Sequence, residues 1–101
     1  MNPIVVCLEK FEKDAAQFED YMLAIQKIEH CHHHFTDEEK EAAREFICKV
    51  YARKTLPNLD RKSMIKVKRC IGIFAIYRLD EKDPLRIAFN EMRENLSKKC
   101  T

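Results

Sequence analysis

The sequence predicts an all-α protein, a compact bundle of about four helices. Three observations point there. Gly72 is the only glycine and Pro3, Pro57 and Pro84 are the only prolines, too few for the many tight turns of an all-β domain. Apolar residues recur at steps of three and four along most of the chain. Each recurring stretch is preceded by a residue suited to capping a helix.

The first expected helix covers 3–31. Asn2 is a favourable N-cap, and Pro3 fits the first helical position, where its missing N–H costs nothing. Ile4, Leu8, Phe11, Ala15, Phe18, Met22 and Ile25 then form one unbroken seam of period 3.5. The tract His30-Cys31-His32-His33-His34 closes it. The second helix covers 37–55. Thr36 and Glu39 have the spacing of a capping box, and the acids at its start suit the helix dipole. Ala43, Phe46, Ile47, Val50 and Tyr51 face inward, and Pro57 lies just past its end.

Asp60 caps a third helix, 60–79. Within it 64–77 carries two signals. Met64, Val67, Ile71, Phe74 and Ala75 follow helical spacing, while Ile65, Val67, Ile71, Ile73 and Ala75 alternate as in a strand and are rich in β-branching. As a helix, this stretch is expected to bring a neighbouring helix close to Gly72, at about 1 kcal/mol of helix propensity. Asp83 and Pro84 start the fourth helix, 84–98. Leu85, Ala88, Phe89, Met92 and Leu96 form its inner face, and Glu94 and Lys98 pair near its end.

At 101 residues the chain has room for one domain, 1–101. The longest apolar run, Cys70 to Tyr77, falls far short of the roughly 20 residues a membrane span needs. Acids interrupt the amino-terminal segment before a signal-peptide core could form. Both observations point to a cytoplasmic protein with no membrane partner. Five cysteines, at 7, 31, 48, 70 and 100, fit no disulfide framework and are expected reduced.

Net charge is +2, but it is sorted along the chain. Residues 1–46 hold eleven acids and five bases; residues 47–79 hold nine bases and one acid. Lys62, Lys66 and Arg69 share one helix face, and Lys49 and Arg53 form a shorter row. These five are the expected contact surface, either for an acidic protein partner or for a second copy of the chain. The function expected is therefore a non-enzymatic protein-binding module: an adaptor, a small inhibitor or an assembly subunit. The alternative is a nucleic-acid-binding protein that sets the same residues against phosphate.

A His/Cys metal-binding protein centred on His30–His34 is the second alternative, since imidazole and thiolate suit zinc, copper or nickel. All its candidate ligands lie in one tract, whereas structural zinc sites draw on two separated pairs, and no metal ligand is assigned. Cys31 beside the histidines is not a catalytic dyad by sequence contact alone, because neighbours on a helix diverge by about 100°. Ser63 and Ser97 lack a nucleophile-elbow setting, and one glycine excludes the glycine-rich phosphate loops. No catalytic residue and no cofactor are expected.

Overall fold

The computed structural model describes residues 2–99, with side chains through Ser97. Five α-helices follow in order: α1 (Pro3–Glu12), α2 (Phe18–Cys31), α3 (Asp37–Ala52), α4 (Arg61–Ile73) and α5 (Pro84–Lys99). A 3-10 turn, His32–His34, extends α2, and a π-helical turn, Phe74–Arg78, extends α4. No strand occurs among the described residues, so 64–77 is helical throughout. α1 packs chiefly on α2 and α3 on α5, while α4 bridges α2 to α3. The thinnest dimension, 20 Å, is two helix diameters.

The expected caps form. The Ile4 N–H donates to Asn2 Oδ1 (2.9 Å), and Glu39 N–H to Thr36 Oγ1 (3.2 Å) while Thr36 N–H donates to Glu39 Oε1 (3.0 Å). Ser63 N–H donates to Asp60 Oδ1 (2.7 Å) and Leu85 N–H to Asp83 Oδ1 (2.9 Å). Each satisfies a donor that the first helical turn leaves orphaned. The pair Glu94–Lys98 and the thiol of Cys100 lie outside the described residues.

The single helix expected over 3–31 is two helices. Asp14 adopts the left-handed conformation (φ 56°). The Ala15 N–H reaches Lys10 O (2.7 Å) and the Asp14 N–H reaches Phe11 O (3.0 Å). These are the two bonds of a Schellman ending, with aspartate where glycine is usual. Gln17 then restarts the chain as N-cap, its N–H donating to Asp20 Oδ2 (2.8 Å). The physical reason is burial. One straight rod would hold one half of its seam away from the bundle. Folded back at Ala16, which is 1% exposed, α1 buries Ile4, Cys7, Leu8 and Phe11 and α2 buries Tyr21, Ala24, Ile25 and Ile28 in a common core.

The loop between α3 and α4 holds that corner. Pro57 and Asn58 (φ 67°) take the central places of a turn closed by Leu59 N–H on Leu56 O (3.4 Å), as in a type II turn. Asn58 Nδ2 donates to Asp14 O (2.9 Å), and Arg53 Nη2 meets Asp14 Oδ1 at 2.6 Å. Two left-handed residues thus clasp one another.

The π turn resolves the mixed signal of 64–77. Arg78 follows Val67 by about three full α-turns, so an unbroken α-helix would aim it at the core. A π turn takes more residues per rotation. It carries Arg78 out to Glu29 (2.9 Å) and brings Leu79 in, 4% exposed. The Arg86 Nη1 then donates to Leu79 O (3.0 Å), closing that end.

Phe46 is fully buried at the centre, so Phe46→Ala is expected to lower stability by about 3–5 kcal/mol, and Thr36→Ala by about 1 kcal/mol, in urea unfolding with unchanged m-value. Asp20 gives a pH test. Burial acts to raise its pKa, but the Gln17 N–H and the Lys10 ammonium (3.1 Å) outweigh that and hold it below the ordinary value. A lowered folded-state pKa adds stability above the unfolded value near 4, and that stability is lost as pH falls through the lower folded value. Asp20→Asn is therefore expected to be less stable than the parent at pH 7, with the gap closing in acid, as read by paired urea titrations.

Candidate interaction surface

The nine bases of residues 47–79 divide into two sets. Four are engaged within the bundle. Lys49 Nζ meets Glu12 (2.7 Å) and Glu45 (3.4 Å), and Arg78 meets Glu29. Arg53 pairs with Asp14 while its guanidinium lies 5.1 Å from the Phe11 ring centroid, close enough for cation–π attraction. Lys68 Nζ donates to Arg53 O, and burial lowers its pKa. The acidic first helix therefore meets the basic carboxyl end of α3, and the two neutralise each other.

The other five are Lys54, Arg61, Lys62, Lys66 and Arg69. All are exposed, and among the described residues none joins an ion pair. Lys66 Nζ lies 5.7 Å from the Phe18 ring centroid. Arg61, Lys62, Lys66 and Arg69 share the outer face of α4 with Ile65 (46% exposed) and Ile73 (44%). No acid interrupts this face, and Tyr77, 79% exposed, lies beyond it on the π turn.

The five residues expected to act together are thus split. Lys62, Lys66 and Arg69 stand together on α4, whereas Lys49 and Arg53 turn toward α1. The split follows from the fold: beside Glu45, one turn back on α3, the acids that engage Lys49 and Arg53 are Glu12 on α1 and Asp14 at its end, and the break at Asp14 brings those two there.

One flank of the α4 face borders a groove of about 550 Å³. Tyr51, Met64, Ile65, Gly72 and Leu96 give it an apolar wall, with Lys54 and Arg69 beside them and no acid in its lining. Sequence reasoning missed it because its walls come from α3, α4 and α5. Gly72 does not draw a neighbouring helix in, as the sequence suggested. A Cβ there would meet only the Tyr51 ring edge, at 3.9 Å, and the backbone φ is not positive. Nothing in the fold requires glycine at this site, where it costs about 1 kcal/mol against alanine.

The histidine tract forms no ligand cluster. Among the described residues, no three His, Cys, Asp or Glu side chains are placed to hold a metal ion. The His32 ring stacks edge-on to Phe74 (5.3 Å) and beside His33 (3.8 Å). Burial, then His33, lowers its pKa, with Asp83 opposing. Cys31 packs against the core while His30, His33 and His34 are exposed. The buried Cys7 thiol is pushed up to about 12 by burial and by Asp20, so it stays protonated. No helix among the described residues is long and apolar enough to cross a membrane.

The chain matches no family model, no curated protein and no solved structure.

The two sets of bases should respond differently to charge reversal. Arg53→Glu sets two carboxylates together at the α1–α2 corner and is expected to lower the melting temperature. Lys62→Glu, on the open face, is expected to shift it by no more than about 2–4 °C, since unpaired surface charges contribute within about 0.5 kcal/mol. Differential scanning fluorimetry of the two variants checks this. Gly72→Ala is expected to stabilise the protein by up to about 1 kcal/mol.

Proposed function

We propose that this chain is a non-enzymatic protein-binding module that recognises an acidic protein partner through the outer face of α4. One observation carries the reading: Arg61, Lys62, Lys66 and Arg69 stand exposed on one helix, among apolar side chains, and join no ion pair among the described residues. Protein interfaces favour such a mixture, in which apolar side chains supply desolvation and charge supplies orientation and association rate. Lys62, Lys66 and Arg69 are the contact residues. Lys49 and Arg53 support the surface from within by holding α1 on α3. The roles this allows are those of an adaptor, a small inhibitor or an assembly subunit, in the cytoplasm. Self-recognition is the variant in which the acids left out of internal ion pairs, such as Glu9, Asp37 and Glu38, would supply the acidic surface.

A second reading, nucleic-acid binding, is favoured by Tyr77, whose exposed ring lies beyond the same cationic face and could stack on a base. Salt dependence separates the two. Phosphate recognition gives a log–log slope of about −0.9 per phosphate neutralised on duplex DNA.

The test is affinity capture with mass spectrometry, with and without nuclease. It compares the parent with the triple variant Lys62→Glu, Lys66→Glu, Arg69→Glu. The triple variant is expected to lose the partner while circular dichroism shows unchanged helicity, and nuclease is expected to have no effect. Equal capture by both proteins would refute this face; loss of capture on nuclease treatment would favour the second reading.

A further inference from the structure

We infer that the groove beside α4 receives an acidic amphipathic helix of the partner protein, one of whose large apolar side chains seats over Gly72. The inference rests on the binding function proposed above and adds the partner's chemistry and the seat of its anchor residue.

Three features of the groove lead there. Its wall is apolar, with half-buried Tyr51, Met64 and Leu96 and exposed Ile65, so filling it needs apolar atoms. Its charged neighbours Lys54 and Arg69 are cationic, exposed and in no ion pair among the described residues, so the ligand that brings those apolar atoms should also bring carboxylates. Lys68, the third cation there, is already turned to Arg53 O. Gly72 is the remaining feature. Neither backbone conformation nor packing calls for it, yet it lines the groove, where a Cβ would lie 3.9 Å from the Tyr51 ring. A glycine that the fold does not need, lining a groove, leaves room for something else.

The same features choose among occupants. A polyphosphate backbone would answer the cations and leave the apolar wall uncovered. A bilayer is flat and cannot fill a recess walled by three helices. An extended peptide that adds to a sheet has no edge to join, since no strand occurs among the described residues. A helix carrying apolar residues at i, i+3, i+4 and i+7 and carboxylates beside them matches both the apolar wall and the cations.

The test uses a displayed library of helical peptides, with Glu on the outer positions and Leu, Phe and Met varied at i, i+3, i+4 and i+7. It is selected against the full chain beside a control library of equal composition without that periodicity. The periodic library is expected to enrich and the control not. The enriched peptide should shift the Gly72 amide resonance, recognisable as that of the sole glycine. Gly72→Leu is expected to weaken binding at least tenfold without lowering the melting temperature, and Lys54→Glu with Arg69→Glu should do the same. If no periodic helix enriches, the inference is overturned. If Gly72→Leu binds the peptide as the parent does while the Lys62, Lys66, Arg69 reversal abolishes binding, the cationic face acts without the groove, and only the present inference fails. If that reversal also leaves binding unchanged, the proposed function fails with it. Saturable binding of duplex DNA or anionic vesicles that Gly72→Leu blocks, or a concentration-dependent dimer that it dissolves, would assign the groove to another occupant and overturn the inference.

Discussion

The turn at Asp14 is the constraint on which the remaining arrangement depends. It converts one long amphipathic segment into a hairpin, and it does so with a residue whose left-handed backbone carries a conformational cost. The clasp offsets that cost: the carboxylate meets Arg53, and the carbonyl accepts from Asn58, itself left-handed. The corner and the loop that grips it are far apart in sequence and define each other. With the corner closed, α1 lies against α3, and the core that centres on Phe46, Tyr21 and Phe89 has walls on every side.

Closing the corner also decides the electrostatics. Charge is sorted along the chain, acidic first and basic after, and such sorting can either cancel or leave a field at the surface. Here it does both. Glu12 and Asp14 reach Lys49 and Arg53, and Glu29 reaches Arg78. Among the described residues, the bases of α4 join no ion pair. Exposed ion pairs of this kind contribute little to stability; their larger effect is to divide the cations into a paired set and an unpaired one. The positive surface is thus what remains after the bundle has neutralised part of its own charge.

The surface gains shape from the packing of α3, α4 and α5. Tyr51 sets its ring edge-on to Phe89 (4.9 Å), which fixes one wall of the groove. Gly72 and Leu96 line it as well. An apolar recess flanked by unpaired cations distinguishes this face from a merely solvated one, because a solvated face has no reason to keep a cavity that one methyl group could begin to fill.

Local chemistry was enough to determine the helical class and four of the five helix starts. Asn2, Thr36, Asp60 and Asp83 cap as their side chains dictate, since a cap needs only neighbours two or three residues away. The inward residues of α3 were legible for the same reason, because period and burial coincide on a helix with one buried face. The break at Asp14 was not, for the seam continues through it unchanged and only burial against the other helices makes the bend favourable. The π turn was hidden likewise, since the competition between Arg78 and Leu79 for the core exists only once the core does. Of the candidate surface, the row Lys62, Lys66, Arg69 could be read from spacing alone. That Lys49 and Arg53 pair with acids on and beside α1, and that Tyr51, Gly72 and Leu96 line one groove, depended on contacts between residues distant in the chain, which tertiary structure alone decides.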